Sequence, residues 1–247
     1  MSIEKLRQDT PGLSNVAHFN NAGAALMPTP VLDAQIDHLK LEAAIGGYEA
    51  AAVAAERFEA VYTSVARLIG AKTREIALVE NATVAWDMAF YALPFAKGDR
   101  ILTAEAEYAA NYIAYLQVAK KVGAVVETIP STNSGEVDVG ALENMIDERV
   151  KLISITHIPT NGGLVNPAVE IGRIAKQHDI TYLLDACQTV GHMPVDVDEI
   201  GCDILSATGR KYLRGPRGTG FLYVRGGLLE NLEPPMLDIF SAEWVSS

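Results

Sequence analysis

Five short clusters in the sequence hold side chains that could do chemistry, each beside a run that reads as a strand. Asp185 and Gln188 come straight after Thr181-Tyr-Leu-Leu184. A carboxylate at that point is partly desolvated, which is costly unless it meets a cation or a donor; capping a helix is the plain alternative. Ser206-Ala-Thr-Gly-Arg-Lys211 follows a second such run and continues as Tyr-Leu-Arg214-Gly-Pro-Arg217-Gly-Thr-Gly220. Its four cations, Arg210, Lys211, Arg214 and Arg217, stand among glycines that permit close backbone approach. Together they suggest an anion site with phosphate as the natural guest, against the alternative of a solvated basic loop. Glu80-Asn-Ala-Thr83 leads into a helical pattern, where free N–H groups and the helix dipole favour an anion; an Asn or Thr cap is compatible with that role. Tyr108, with Asn111, is placed to stack on a planar ring or simply to pack. In His157-Ile-Pro-Thr-Asn161-Gly-Gly, Asn161 is either a donor to a ligand oxygen or a turn residue.

Alternating short β-branched runs and amphipathic stretches must position these clusters. Strands are expected at Glu75–Val79, Arg100–Thr103, Val125–Ile129, Val150–His157, Ile180–Leu184, Asp203–Ser206 and Gly220–Val224. Helices are expected at Val31–Ala44, Tyr48–Ile69, Thr83–Leu93, Tyr108–Val122, Val139–Ile146 and Pro167–His178, the last with proline in its first turn. Within Tyr48–Ile69, Val53, Phe58, Val61, Val65 and Leu68 recur on one face, and Gly70 suits the helix end. Strands separated by helices indicate an α/β fold with a mostly parallel seven-stranded sheet covered on both faces. The strand Ile180–Leu184 is apolar throughout and is expected to be buried on both faces. Ligands of such sheets lie beyond the carboxyl ends of the strands, where all five clusters fall.

Composition narrows the function classes. Of 247 residues, 49% are apolar and 21% charged, so the chain can bury a sizeable core. The net charge of -11 opposes nucleic acid and anionic membrane as partners. No apolar run reaches membrane-spanning length and no signal core opens the chain, which points to a cytoplasmic protein. Two cysteines read as reduced thiols. The nucleotide-binding patterns Gly-x-Gly-x-x-Gly after a first strand and Gly-x-x-x-x-Gly-Lys-Ser/Thr are missing, and Gly215–Gly220 precedes a strand instead of a helix. The five histidines are scattered, and Cys187 with His192 is a poor ligand pair, so no metal site is expected.

Jointly the clusters point further. Asp185-x-x-Gln188, 26 residues ahead of Thr208-Gly-Arg-Lys211 and the Gly215-Pro-Arg-Gly-Thr-Gly-Phe-Leu-Tyr-Val224 stretch, resembles the class V aminotransferases. These are pyridoxal 5'-phosphate (PLP) enzymes that include cysteine desulfurases, selenocysteine lyases and isopenicillin N epimerase-like proteins. The resemblance runs from Asn20-Asn-Ala-Gly23 to Val224 and implies the large domain of PLP-transferase fold type I. It implies that Lys211 holds PLP as a Schiff base and that Asp185 pairs with the pyridine nitrogen, keeping the ring an electron sink. Gln188 and Asn161 would stand near the phenolic oxygen, Ala82, Thr83 and Thr208 at the phosphate, and Tyr108 over the ring. Asn21 and Ala22 would line the substrate pocket. Three positions depart from the desulfurase pattern: Arg210 and Tyr108 stand where histidines are usual, and Asn81-Ala-Thr replaces Gly-Thr-Thr. The Gly46-Gly-Tyr-Glu-Ala50 segment is closer to the epimerase and C–S lyase-like branches. The implied organisation is a substrate-loop segment (1–30), a PLP-binding domain (31–232) and the start of an otherwise absent C-terminal domain (233–247). That domain would supply the arginine for the substrate carboxylate and, in desulfurases, the nucleophilic cysteine; Cys187 and Cys202 do not match its position. The expected function is C–S lyase/desulfurase-like or aminotransferase-like chemistry on a small amino acid, in a homodimer. The alternative is a truncated, non-catalytic chain that binds cofactor or acts as an interaction partner.

Overall fold

The computed structural model describes residues 2–160, 162–238 and 241. Its strands are β1 (Ile76–Val79), β2 (Arg100–Ala104), β3 (Val125–Ile129), β4 (Val150–Thr156), β5 (Thr181–Asp185), β6 (Ile204–Thr208) and β7 (Gly220–Val224). Its α-helices are α1 (Ile3–Gln8), α2 (Thr29–Ile45), α3 (Gly47–Ile69), α4 (Ala82–Phe90), α5 (Ala109–Val122), α6 (Val139–Met145), α7 (Ala168–Gln177), α8 (Val197–Ile200) and α9 (Gly226–Leu229). All the strands form one sheet in the order β3-β2-β4-β5-β6-β7-β1. The run from β3 to β6 is parallel, and β7 is antiparallel to both β6 and β1. The sheet is therefore mostly parallel, as its helix-linked strands require.

The expected elements are present, with β3 and β7 matching to the residue. Small shifts have local causes. Glu75 belongs to a 3-10 turn, Thr73–Glu75, instead of β1. Asp203 precedes β6 because its carboxylate accepts the Tyr182 amide (2.9 Å). Pro167 is the N-cap of α7 and not a residue of its first turn. Three helices have no counterpart in the sequence reading, α1, α8 and α9. Each is too short to show a period, although Ser2 caps α1 by accepting Lys5 N (3.2 Å).

Two apolar layers hold the sheet. Successive strand residues point to opposite faces, so Ile153 and Leu184 join Ile171 and Ile174 of α7 on one side. Leu152 and Leu183 join Trp86 and Phe90 of α4 and Tyr115 of α5 on the other. Trp86 stacks on Phe90 with ring centres 4.5 Å apart. α3 is helical as expected and ends at Gly70 in the left-handed conformation (φ 71°). Of its apolar face, Val65 packs on the core while Val53, Phe58, Val61 and Leu68 are exposed. The N-terminal segment is tied to the loop after β6: Ala25 N donates to Arg210 O (2.9 Å), and the Arg214 guanidinium donates to Leu26 O (3.1 Å) and Thr10 Oγ1 (2.5 Å).

Candidate active site

The carboxyl ends of β4, β5 and β6 and the start of α4 open on a cleft of about 460 Å³. Asp185, the last residue of β5, lines it at 6% exposure, and Lys211 lines it at 7%. Register places Asp185 between Thr156 of β4 and Ser206 of β6. Its Oδ1 accepts Cys187 N (3.0 Å) and its Oδ2 accepts Asn111 Nδ2 (3.2 Å), so the carboxylate is held at both oxygens.

The opposite corner is built for an anion. Thr208 pairs in register with Gly220, and a Cβ on Gly220 would come within 2.9 Å of the Asn81 carbonyl carbon. Only glycine lets β7 and the start of α4 approach so closely, which sets Ala82 and Thr83 beside Thr208. Asn81 caps α4 by accepting Val84 N (3.0 Å). Arg210 Nη1 donates to Thr208 Oγ1 (3.0 Å), adding a cation to this corner. Lys211 Nζ lies 6.0 Å from the centre of the Tyr108 ring, so Tyr108 lies across the cleft from it.

Ala82, Thr83, Tyr108, Asp185, Gln188, Thr208, Arg210 and Lys211 thus share one cleft. Gln188 Nε2 reaches Ala22 O at 3.4 Å, bringing the N-terminal loop to the cleft's edge. Asn21 instead lines a separate groove of about 240 Å³ with Thr10, Leu26 and Arg214. Asn161 lies outside the described residues. The basic stretch is divided: Arg214 clasps the N-terminal segment and Arg217 is exposed, leaving Arg210 and Lys211 in the cleft. Among the described residues no group of three or more His, Cys, Asp or Glu could hold a metal, and no helix is long and apolar enough to cross a membrane.

One acidic residue escaped the sequence reading. Glu107, in the loop after β2, accepts Thr103 Oγ1 (3.1 Å), Thr156 N (3.2 Å), Thr156 Oγ1, Tyr108 N (2.6 Å) and Asn111 Nδ2 (3.1 Å). Burial, partly offset by these bonds and reinforced by the Asp185 charge, raises its carboxyl to about 7. Glu107 lies in the loop two residues ahead of α5, where no period in the sequence sets it apart. Burial also lowers His157 to about 4, pushes the Cys187 thiol well up and pushes Cys202 up to about 12.

The family profile for aminotransferase class-V matches residues 17–241. The chain belongs to the class V aminotransferase family. This class V chain is 34% identical over 240 residues to a probable cysteine desulfurase of Methanothermobacter thermautotrophicus, covering 96% of this chain and 60% of that protein. A cysteine desulfurase from Thermococcus onnurineus, solved in its apo form, superposes with a TM-score of 0.92 at 30% identity, over 100% of this chain and 63% of that one. The cysteine desulfurase CsdA from Escherichia coli gives 0.91 at 26% identity, over the same shares. The chain spans about 60% of the length of the curated relatives it matches.

The class V cleft also fits a flat, phosphate-bearing group on its own geometry. Gln188 Oε1 is buried with no hydrogen-bond partner, an acceptor that a ligand donor would satisfy. A buried lysine, a fixed carboxylate and a helix start bearing Thr83 are donors and acceptors of the types such a group needs.

Proposed function

We propose that this chain binds PLP in the cleft and takes part in C–S bond cleavage on cysteine or a related amino acid. The observation that carries the reading is the convergence of buried Lys211 and buried Asp185 with the anion corner of Thr83, Thr208 and Arg210. Lys211, buried in the cleft, is the amine that would hold the cofactor's aldehyde carbon. Asp185 would accept a hydrogen bond from the protonated ring nitrogen and stabilise its charge. The α4 start, Thr83, Thr208 and Arg210 would hold the phosphate, Tyr108 would cover one face of the ring, and Gln188 would meet its edge. When bound, PLP supplies the sink for the electron pair left on the substrate α-carbon.

Relatives that are named cysteine desulfurases favour C–S cleavage over transamination. The chain's own two thiols, both buried and both with raised pKa, are poor sulfur acceptors, so sulfur leaves to a small thiol or to a group outside these residues. A cytoplasmic homodimer is the proposed assembly. The exposed apolar residues of α3 and of the neighbouring α2, with Leu39 at 64%, support a protein partner for that face, and unpaired cysteines support a reducing compartment.

The test is titration of the chain with PLP followed by borohydride reduction and peptide mapping. A visible absorbance band and a pyridoxyl label on Lys211 are expected, and a label on another lysine overturns the assignment. Sulfide release from L-cysteine, measured beside alanine–pyruvate exchange, then separates the two reaction types.

A further inference from the structure

Behind Asp185 lies a second carboxylate that the reading above leaves without a role. Asn111 Nδ2 has two hydrogens and two carboxylate partners, Asp185 Oδ2 at 3.2 Å and Glu107 Oε1 at 3.1 Å. Glu107 in turn gathers Thr103 at the end of β2, Thr156 at the end of β4 and the first amide of the loop into α5. One side chain therefore ties two adjacent strand ends to α5 and fixes the amide that faces Asp185 on the next strand. Tyr115, also on α5, donates its hydroxyl to Ser154 (2.7 Å) and stays neutral because burial raises its pKa. Burial chiefly, and the nearby Asp185 charge after it, raise the Glu107 carboxyl.

We propose that Glu107 is a positioning residue for the cofactor's ring nitrogen, acting through Asn111 on Asp185. The inference rests on the PLP reading above. A carboxylate accepts at both oxygens, so it dictates that Asn111 turns its N–H groups, and not its carbonyl, toward Asp185. With Oδ1 held by Cys187 N and Oδ2 by Asn111, Asp185 cannot swing away, and its remaining lone pairs are left for a donor in the cleft. Once ionised, above about pH 7, Glu107 also adds a second negative group behind the first, favouring a protonated ring nitrogen. A glutamine at 107 cannot reproduce this. In one orientation its amide N–H₂ meets the donors Tyr108 N and Asn111 Nδ2, and in the other it meets Thr156 N.

A helix-supporting role for Glu107 would weaken every ligand of the cleft alike, whereas action on the ring nitrogen is selective. The experiment measures dissociation constants of PLP and of its 1-deaza analogue, in which C–H replaces the ring nitrogen, for the parent chain, Glu107→Gln and Asn111→Leu. Thermal unfolding of each protein is followed in parallel. Loss of a charge-assisted contact predicts that both variants bind PLP about tenfold more weakly while the deaza analogue changes by less than about twofold. In an Asp185→Asn background, Glu107→Gln should cost nothing further. Should Glu107→Gln fail to fold, Asn111→Leu reads the same link. Equal weakening of both compounds, or a ratio that does not change, overturns this inference alone. A parent chain that binds neither compound overturns the cofactor reading and this inference with it.

Discussion

Glu107 and His157 stand beside the same strand end and titrate in opposite senses. Burial raises Glu107 from 4.5 to about 7 and lowers His157 from 6.5 to about 4. Between pH 4.5 and 7 the folded chain keeps a proton on Glu107 that the unfolded chain releases, so stability falls as pH rises through that window. Between pH 4 and 6.5 the unfolded chain protonates His157 while the folded chain leaves it neutral, so stability rises with pH there. At about 1.4 kcal/mol per pH unit, each group contributes at most about 3 kcal/mol over its window. Where the windows overlap, from pH 4.5 to 6.5, the two slopes cancel. Removing one partner exposes the other. Glu107→Gln should become more stable, by about 2–3 kcal/mol, as pH rises across the overlap, and His157→Gln should become less stable by a similar amount. Urea unfolding at both ends of the overlap gives these differences, and subtracting the parent chain removes the groups common to all three. A parent-minus-variant difference that stays constant with pH refutes the argument for the residue concerned.

Further outcomes follow from individual contacts. A Cβ at Gly172 of α7 would fall 1.8 Å from Ile200 O, so Gly172→Ala should lose at least about 2 kcal/mol in chemical unfolding despite the ~1 kcal/mol that alanine gains in helix propensity; an unchanged midpoint would show that α7 can shift away from α8. Cys187 and Cys202, both buried with thiols of raised pKa, should resist alkylation in the folded chain and react quickly once urea unfolds it; rapid labelling of the native chain counts against their placement. Asp185→Asn should retain weakened PLP binding while turnover of a competent enzyme drops about a hundredfold, and undiminished turnover removes Asp185 from the proposed role.

Much of the architecture is legible in consecutive residues. Short β-branched or apolar runs mark the strands, down to both ends of Val125–Ile129 and Gly220–Val224, because a strand's composition is a property of its own residues. The placement of Asp185, Thr208 and Thr83 at one rim follows from the same pattern, since parallel strands joined by helices send all their carboxyl ends to one edge. Other features needed the assembled sheet. Arg214 and Arg217 look equivalent to Arg210 in the sequence, yet the chain turns at Arg214 (φ 60°) and sends its guanidinium to the N-terminal segment. The apolar stripe of α3 announces a face that wants covering, but a period cannot say what covers it, and Phe58 is 56% exposed. Glu107 is the sharpest case. In the sequence it is one of many acidic residues; in the fold, β2 and β4 lie side by side and Asn111 meets Asp185 across a separation of 74 residues. Side-chain type and period belong to neighbours along the chain, whereas desolvation and the approach of a second charge depend on which elements pack beside a residue, and only the tertiary structure decides that.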